Sequence, residues 1–290
     1  MKKLAFLSLL LVGSLACATL EKTLATEVPP TVAAPPTAAP NTTDAAPTDI
    51  VRRENSDVVC SSEIPEAVEA YNQGFALETA GDINAAIAAY RKAIELDPEY
   101  CDAMDNLALL LRQIGENQEA ISLYQKSIEI APDNLVAHLG LANAYMDLDE
   151  YDKALEEYNT LIEIDPDYAE GYYGAGRAYF SQENYTQAIA QLKIAEDLYK
   201  AEGSPYVVDA QVLLGLSYTL IEDYVNGRDY LELAYPQMQD NAYVNYFLGY
   251  CYYYGASIRD DALARKYLTR ARDLGVELEP ELENFVNSSP

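Results

Sequence analysis

Few residues in this 290-residue chain have the types and spacing that chemistry demands. Its single histidine, His138, has no second histidine to complete a metal site. It falls on the packing side of a helical stretch and is expected to be a satisfied, semi-buried group. There is no Gly-rich phosphate loop, nucleophile elbow or zinc-spaced cysteine set. The acidic runs Asp147-Leu148-Asp149-Glu150 and Glu163-Ile164-Asp165-Pro166-Asp167 lack the alternation of a calcium loop. They recur as punctuation and suit solvated surface and helix-start charge. No enzyme activity, cofactor or metal is expected. What the chain has in quantity is tyrosine, 25 in all, with six in the stretch AYVNYFLGYCYYYG at 242–255. Those aromatics either fill a core or form a surface for a partner.

The elements that hold them repeat. AIAAYRKAIELDPEY, AISLYQKSIEIAPDN and ALEEYNTLIEIDPDY end at Tyr100, Asn134 and Tyr168, and Pro98, Pro132 and Pro166 are each 34 residues apart. The small residues Gly74, Ala108, Ala142 and Gly176 keep the same interval. A fixed period of this size means stacked supersecondary units. Within a unit the apolar spacing is helical, Gly81 and Gly115 divide it into two helices, and the proline closes it. Gly215 then follows Gly176 by 39 residues, after the run-on AEDLYKAEGSPY, and Gly249 restarts the pattern 34 later with a longer turn, GASIRDDALA.

With these residues in place the chain resembles the tetratricopeptide repeat family. The first unit matches its pattern with Gly74, Gly81, Ala86, Tyr90, Ala93 and Pro98, and the second with Ala108, Gly115, Ala120, Tyr124, Ser127 and Pro132. The third has Ala142, Ala154, Tyr158, Leu161 and Pro166, with Asp149 in place of the turn glycine. The resemblance spans about residues 65–275. It implies an all-α, right-handed superhelical solenoid of about six helix-turn-helix repeats over 63–275. The segment 276–290 supplies a short capping helix, LEPELENFV, and a tail. Tyr90, Tyr124 and Tyr158 are expected to wedge into the following unit.

In that family the first helices of successive units line a concave groove where ligands sit. Carried over by register, the inward positions include Tyr71, Phe75, Asp105, Leu109, Arg112, Leu139, Asn143, Met146, Tyr173, Arg177 and Phe180. Val212, Leu216 and Leu220 continue them. One subgroup grips carboxylates with a Lys/Asn/Arg clamp. Its positions here hold Tyr71, Phe75, Val136 and Gly140, with only Asn106 as expected, so that clamp is absent. Arg112 and Arg177 are the rare cations of the groove, able to meet a ligand acid or to pair with nearby carboxylates. In the sixth unit Tyr252 is assigned to the core. Tyr243, Tyr246, Tyr250, Tyr253 and Tyr254 form one stripe facing the groove, unless LEPELENFV folds back over them.

The N-terminus reads as an export signal over 1–17: Lys2 and Lys3, then an uncharged run too short to span a membrane. Ala16-Cys17 resembles a bacterial lipobox, with Cys17 the lipidated residue; Ala16-Cys17-Ala18 also suits ordinary signal peptidase, which would leave a secreted protein. The lipid-anchored reading is preferred because a Pro/Thr/Ala-rich tether follows over 18–62. Export permits a disulfide, and Cys60 and Cys101 are the candidate pair; Cys251 reads as a small buried hydrophobe. With 47 acidic against 19 basic residues and a net charge of −28, nucleic acid is excluded as a partner, as is an anionic membrane surface without the anchor. The expected role is a non-catalytic envelope scaffold that holds a protein or peptide, with a basic one favoured by steering. The alternatives are a self-associating structural component and an accessory binder for a glycan or cell-wall enzyme.

Overall fold

The structure, a computed structural model, describes residues 60–288. The expected signal segment, Cys17 and the tether up to residue 59 lie outside the described residues. Thirteen α-helices are present among the described residues, with no strand. They come in pairs. The first three are α1 (Pro65–Thr79) with α2 (Ile83–Leu96), α3 (Cys101–Gln113) with α4 (Asn117–Ile130), and α5 (Leu135–Asp147) with α6 (Tyr151–Ile164). The next are α7 (Ala169–Ser181) with α8 (Tyr185–Glu202), α9 (Val207–Leu220) with α10 (Tyr224–Ala234), and α11 (Ala242–Tyr254) with α12 (Asp261–Asp273). A last helix, α13 (Pro280–Asn287), follows. No helix among the described residues is long and apolar enough to cross a membrane.

Each of the first five pairs turns on three residues whose middle member has positive φ: Gly81 at 80°, Gly115 at 85°, Asp149 at 57°, Glu183 at 59° and Glu222 at 65°. The geometry is the same each time. The next residue's N–H reaches back to close the helix, as Asp82 to Leu77, Glu116 to Leu111, Glu150 to Tyr145, Asn184 to Tyr179 and Asp223 to Tyr218, at 2.8–2.9 Å. That six-residue closure needs a left-handed residue, which glycine adopts without strain. Asp149, Glu183 and Glu222 adopt it at a cost. Asp82, Asn184 and Asp223 then cap the following helix by accepting backbone N–H bonds.

The five extra residues before Gly215 lengthen α8 to 18 residues, and Gly203 at φ 68° stops it. The longer turn of the sixth unit occupies 255–260, between α11 and α12.

Between units the wedge is a matter of volume. Tyr124 of α4 is buried against Gly140 of α5, where an added Cβ would sit 2.2 Å from the ring. Tyr158 meets Gly174 of α7 in the same way, at 2.1 Å. In later units Leu192 and Leu231 replace these tyrosines, and the residues facing them grow to Leu213 and Phe247. Small partners accompany the large wedge and large partners the small one, which preserves packing density. At the N-terminal end Cys60 and Cys101 form a disulfide with Cα atoms 5.3 Å apart, tying the segment before α1 to α3. Cys251 is a free, buried thiol.

Candidate binding groove

The first helices of successive pairs touch one another: α3 with α5, α5 with α7, α7 with α9 and α9 with α11. They make the inner layer, with the second helices outside. Along it the residues at one repeat register are Tyr71, Asp105, Leu139, Tyr173, Val212 and Tyr246, and at the next Phe75, Leu109, Asn143, Arg177, Leu216 and Tyr250.

Those positions differ in what they offer. Phe75 is 58 % exposed. Tyr71 is half-buried, its ring 5.5 Å from Tyr90 and 5.1 Å from Tyr100, and its hydroxyl accepts from Asn106. Leu109 and Met146 are half-buried, whereas Leu139 is buried in the core. Leu139 was expected in the groove; its helix lies close enough to both neighbours to cover it. Asp105 is also buried, taking a hydrogen bond from Asn134 at 2.7 Å. Arg112 pairs with Asp147 at 3.0 Å, so its charge is answered within the protein. Asn143 is half-buried and accepts a bond from Tyr158 at 2.8 Å. Tyr173 lies 6.1 Å from the buried Tyr199, and burial pushes its hydroxyl well above the ordinary value. Arg177 lies over the Tyr173 ring at 5.9 Å, and Phe180 packs edge-on against Tyr185.

The tyrosine stripe does not stand open. The segment 276–288 folds back onto it. Tyr246 is only 4 % exposed and donates to Glu279 at 2.5 Å; Tyr253 donates to Glu281 at 3.1 Å and packs at a tilt against Phe285, with ring centroids 4.6 Å apart. Tyr243, Tyr250, Tyr253 and Tyr254 are half-buried, with the rings of Tyr250 and Tyr254 lying 4.4 Å apart. Leu282 of α13 is fully buried, and Arg265 anchors the helix's last carbonyls, at Phe285 and Val286. Tyr252 is buried on the packing side, stacked on Tyr267. The hydrophobic reason is simple: an end unit has an apolar face with no seventh unit to cover it.

His138 is 6 % exposed, with Nδ1 2.7 Å from Glu157 and Nε2 2.9 Å from the Pro132 carbonyl. Both nitrogens are engaged in structure. Among the described residues no His/Cys/Asp/Glu group is arranged to hold a metal. Three contributors were missed from the sequence. Asp209, on the first turn of α9, lies near Arg177 and Tyr173; carrying the 39-residue offset from Glu170 would have placed it on the groove. Glu279 and Glu281 lie in LEPELENFV, expected as a cap, and were not singled out as acceptors for tyrosine hydroxyls.

Sequence models of the tetratricopeptide repeat match residues 65–134 and 173–242, and a second such model matches 111–171. No curated protein matches the chain. Among solved structures it is similar to the anaphase-promoting-complex hetero-tetramer Cut9–Hcn1, at 19 % identity and TM-score 0.62 over 76 % of this chain and 42 % of that one. It is similar to YrrB, described as a TPR protein with an unusual peptide-binding site, at 22 % identity and TM-score 0.53 over 64 % and 92 %. MamA 41-end from Desulfovibrio magneticus RS-1 is similar at 17 % identity and TM-score 0.55, over 62 % and 99 %. At these identities the likeness concerns the fold. The helix pairs, the repeated turn and the matched models agree, and the chain belongs to the tetratricopeptide repeat family.

Proposed function

We propose that this protein is a non-catalytic scaffold that holds a protein or peptide partner along the inner face of its first helices. It is exported and tethered to a membrane through a lipid on Cys17, with the proline-rich segment setting its reach. The observation that carries the binding reading is the inner face of α1 to α9. Phe75, Leu109, Met146, Tyr173, Phe180 and Leu220 lie there exposed or half-buried, on consecutive first helices. A row of amphipathic and apolar side chains left partly in water along a concave layer suits an extended or helical segment. The family's usual role in protein–protein interaction supports the same reading. The sugar-stacking alternative rested on the tyrosines of α11, and α13 occupies these.

A photoreactive residue tests the placement. Installed at Phe75 or Phe180 on the inner layer, it should crosslink a defined partner in the native envelope. At Lys126 or Asp197, on second helices, it should not. Equal crosslinking from both layers would sink the groove reading. Mass spectrometry of the mature N-terminus tests the anchor, since an unmodified start at Thr19 contradicts it.

A further inference from the structure

Eight arginines lie among the described residues, and seven have a partner. Arg91 pairs with Glu119, Arg112 with Asp147, Arg228 with Asp229, Arg259 with Asp261, Arg270 with Asp240 and Arg272 with Glu283. Arg265 donates to the carbonyls of Phe285 and Val286. Arg177 has neither an ion pair nor a hydrogen bond among the described residues; its guanidinium only overlies the Tyr173 ring. In a chain with 47 acidic residues, an unanswered guanidinium half-buried on the inner face calls for a reason. Taking such a group partly out of water is costly unless something completes its hydrogen bonds.

The nearest anions do not complete them. Asp147 acts on Arg177 through space and is bonded to Arg112. Asp209 faces it from α9 without forming an ion pair; burial pushes the Asp209 carboxyl up, and Arg177 draws it partly back. Apolar groups share the inner face: Phe180 is half-buried there, and Val212 and Leu216, expected in the groove by register, are buried beneath it. The far end of that face shows what such a lining accepts. There the protein's own segment docks with the carboxylates of Glu279 and Glu281 accepting from tyrosine hydroxyls and with Phe285 packed at a tilt against Tyr253.

We propose that the inner face at α7 and α9 binds an extended peptide segment by a side-chain carboxylate, held by the fork of Arg177, with a bulky apolar neighbour against the half-buried Phe180. A guanidinium matches a carboxylate in two parallel bonds, which an ammonium does not. The overall acidity of the protein does not prevent this. Surface charges are screened beyond about 8 Å at physiological ionic strength, whereas a half-buried pair is screened much less. The segment needs one well-placed acid, in a partner of any net charge. This rests on the groove reading above and adds the chemistry of one contact.

The test presents the full chain to displayed random heptapeptides, alongside Arg177→Gln, Arg177→Lys and Asp209→Asn, each checked for helicity and melting. The unsubstituted protein should select peptides with Asp or Glu at one fixed position beside a bulky apolar residue. A selected peptide should bind about tenfold or more tightly than its Glu→Gln counterpart. Asp209→Asn should widen that ratio, Arg177→Lys should reduce it, and Arg177→Gln should abolish it while still binding peptide. Selection without an acid preference, or an acid preference unchanged in Arg177→Gln and Arg177→Lys, overturns the proposal and leaves the groove reading standing. Failure to select any peptide contradicts both.

Discussion

Tyr124 and Gly140 show how one side chain sets the distance between two units. The ring fills the space a Cβ would need, so Gly140→Ala is expected to destabilise by about 2–3 kcal/mol in denaturant unfolding. Adding Tyr124→Leu should return part of that loss, because the later units use a leucine wedge against larger partners. His138 makes a second prediction. Burial works against its charge, but the Glu157 carboxylate and the Pro132 carbonyl outweigh burial, with Asp133 adding to them, and the pKa is raised above 6.5. A raised pKa stabilises the fold fully below 6.5, and that stabilisation is lost as pH climbs through the folded value. Melting temperature should therefore fall above neutrality more in the unsubstituted protein than in His138→Gln. As the only histidine, its ring signals report the titration directly by NMR. At this scale the sequence was partly legible. The wedge tyrosines and the engaged histidine followed from register. The difference between Arg112 and Arg177 did not, because it depends on whether a carboxylate one unit away, Asp147, comes within reach.

Among the elements, the turns make the sharpest comparison, since five of them share one backbone shape with two kinds of residue. Glu222→Gly should stabilise by about 0.5 kcal/mol, the left-handed strain relieved exceeding the unfolded-state entropy gained. Gly81→Ala should do the reverse by about 1 kcal/mol. The α13 segment makes another prediction. Truncating the chain after Leu274 removes the fully buried Leu282 and the acceptors of Tyr246 and Tyr253. Hydrogen exchange should then quicken in α11 and α12 while α1 to α6 keep their protection, since solenoid units are coupled mainly to their neighbours. Unchanged exchange in α11 would show that the segment is not docked. The helix pairs were readable because period, glycine and proline all repeat. Which side of the tyrosine stripe was covered was not readable, because Glu279, Glu281 and Phe285 sit in a segment outside the repeat whose path only packing decides.

For the whole molecule, charge and fold point to one kind of work. An acidic solenoid tied at its start by Cys60–Cys101 and closed at its end by α13 leaves the stretch from α1 to α9 as its open inner face. The sequence told the class of architecture and the register of that face. It did not tell which inward positions are core, as Leu139 and Tyr246 are, because burial on a concave layer depends on how closely neighbouring first helices approach. The central claim is that a partner lies along the first helices. Hydrogen exchange with and without a partner recovered by crosslinking tests it most directly. Protection gained on α5, α7 and α9, with α4, α6, α8 and α10 unchanged, is the expected result. Protection confined to the second helices would contradict the account.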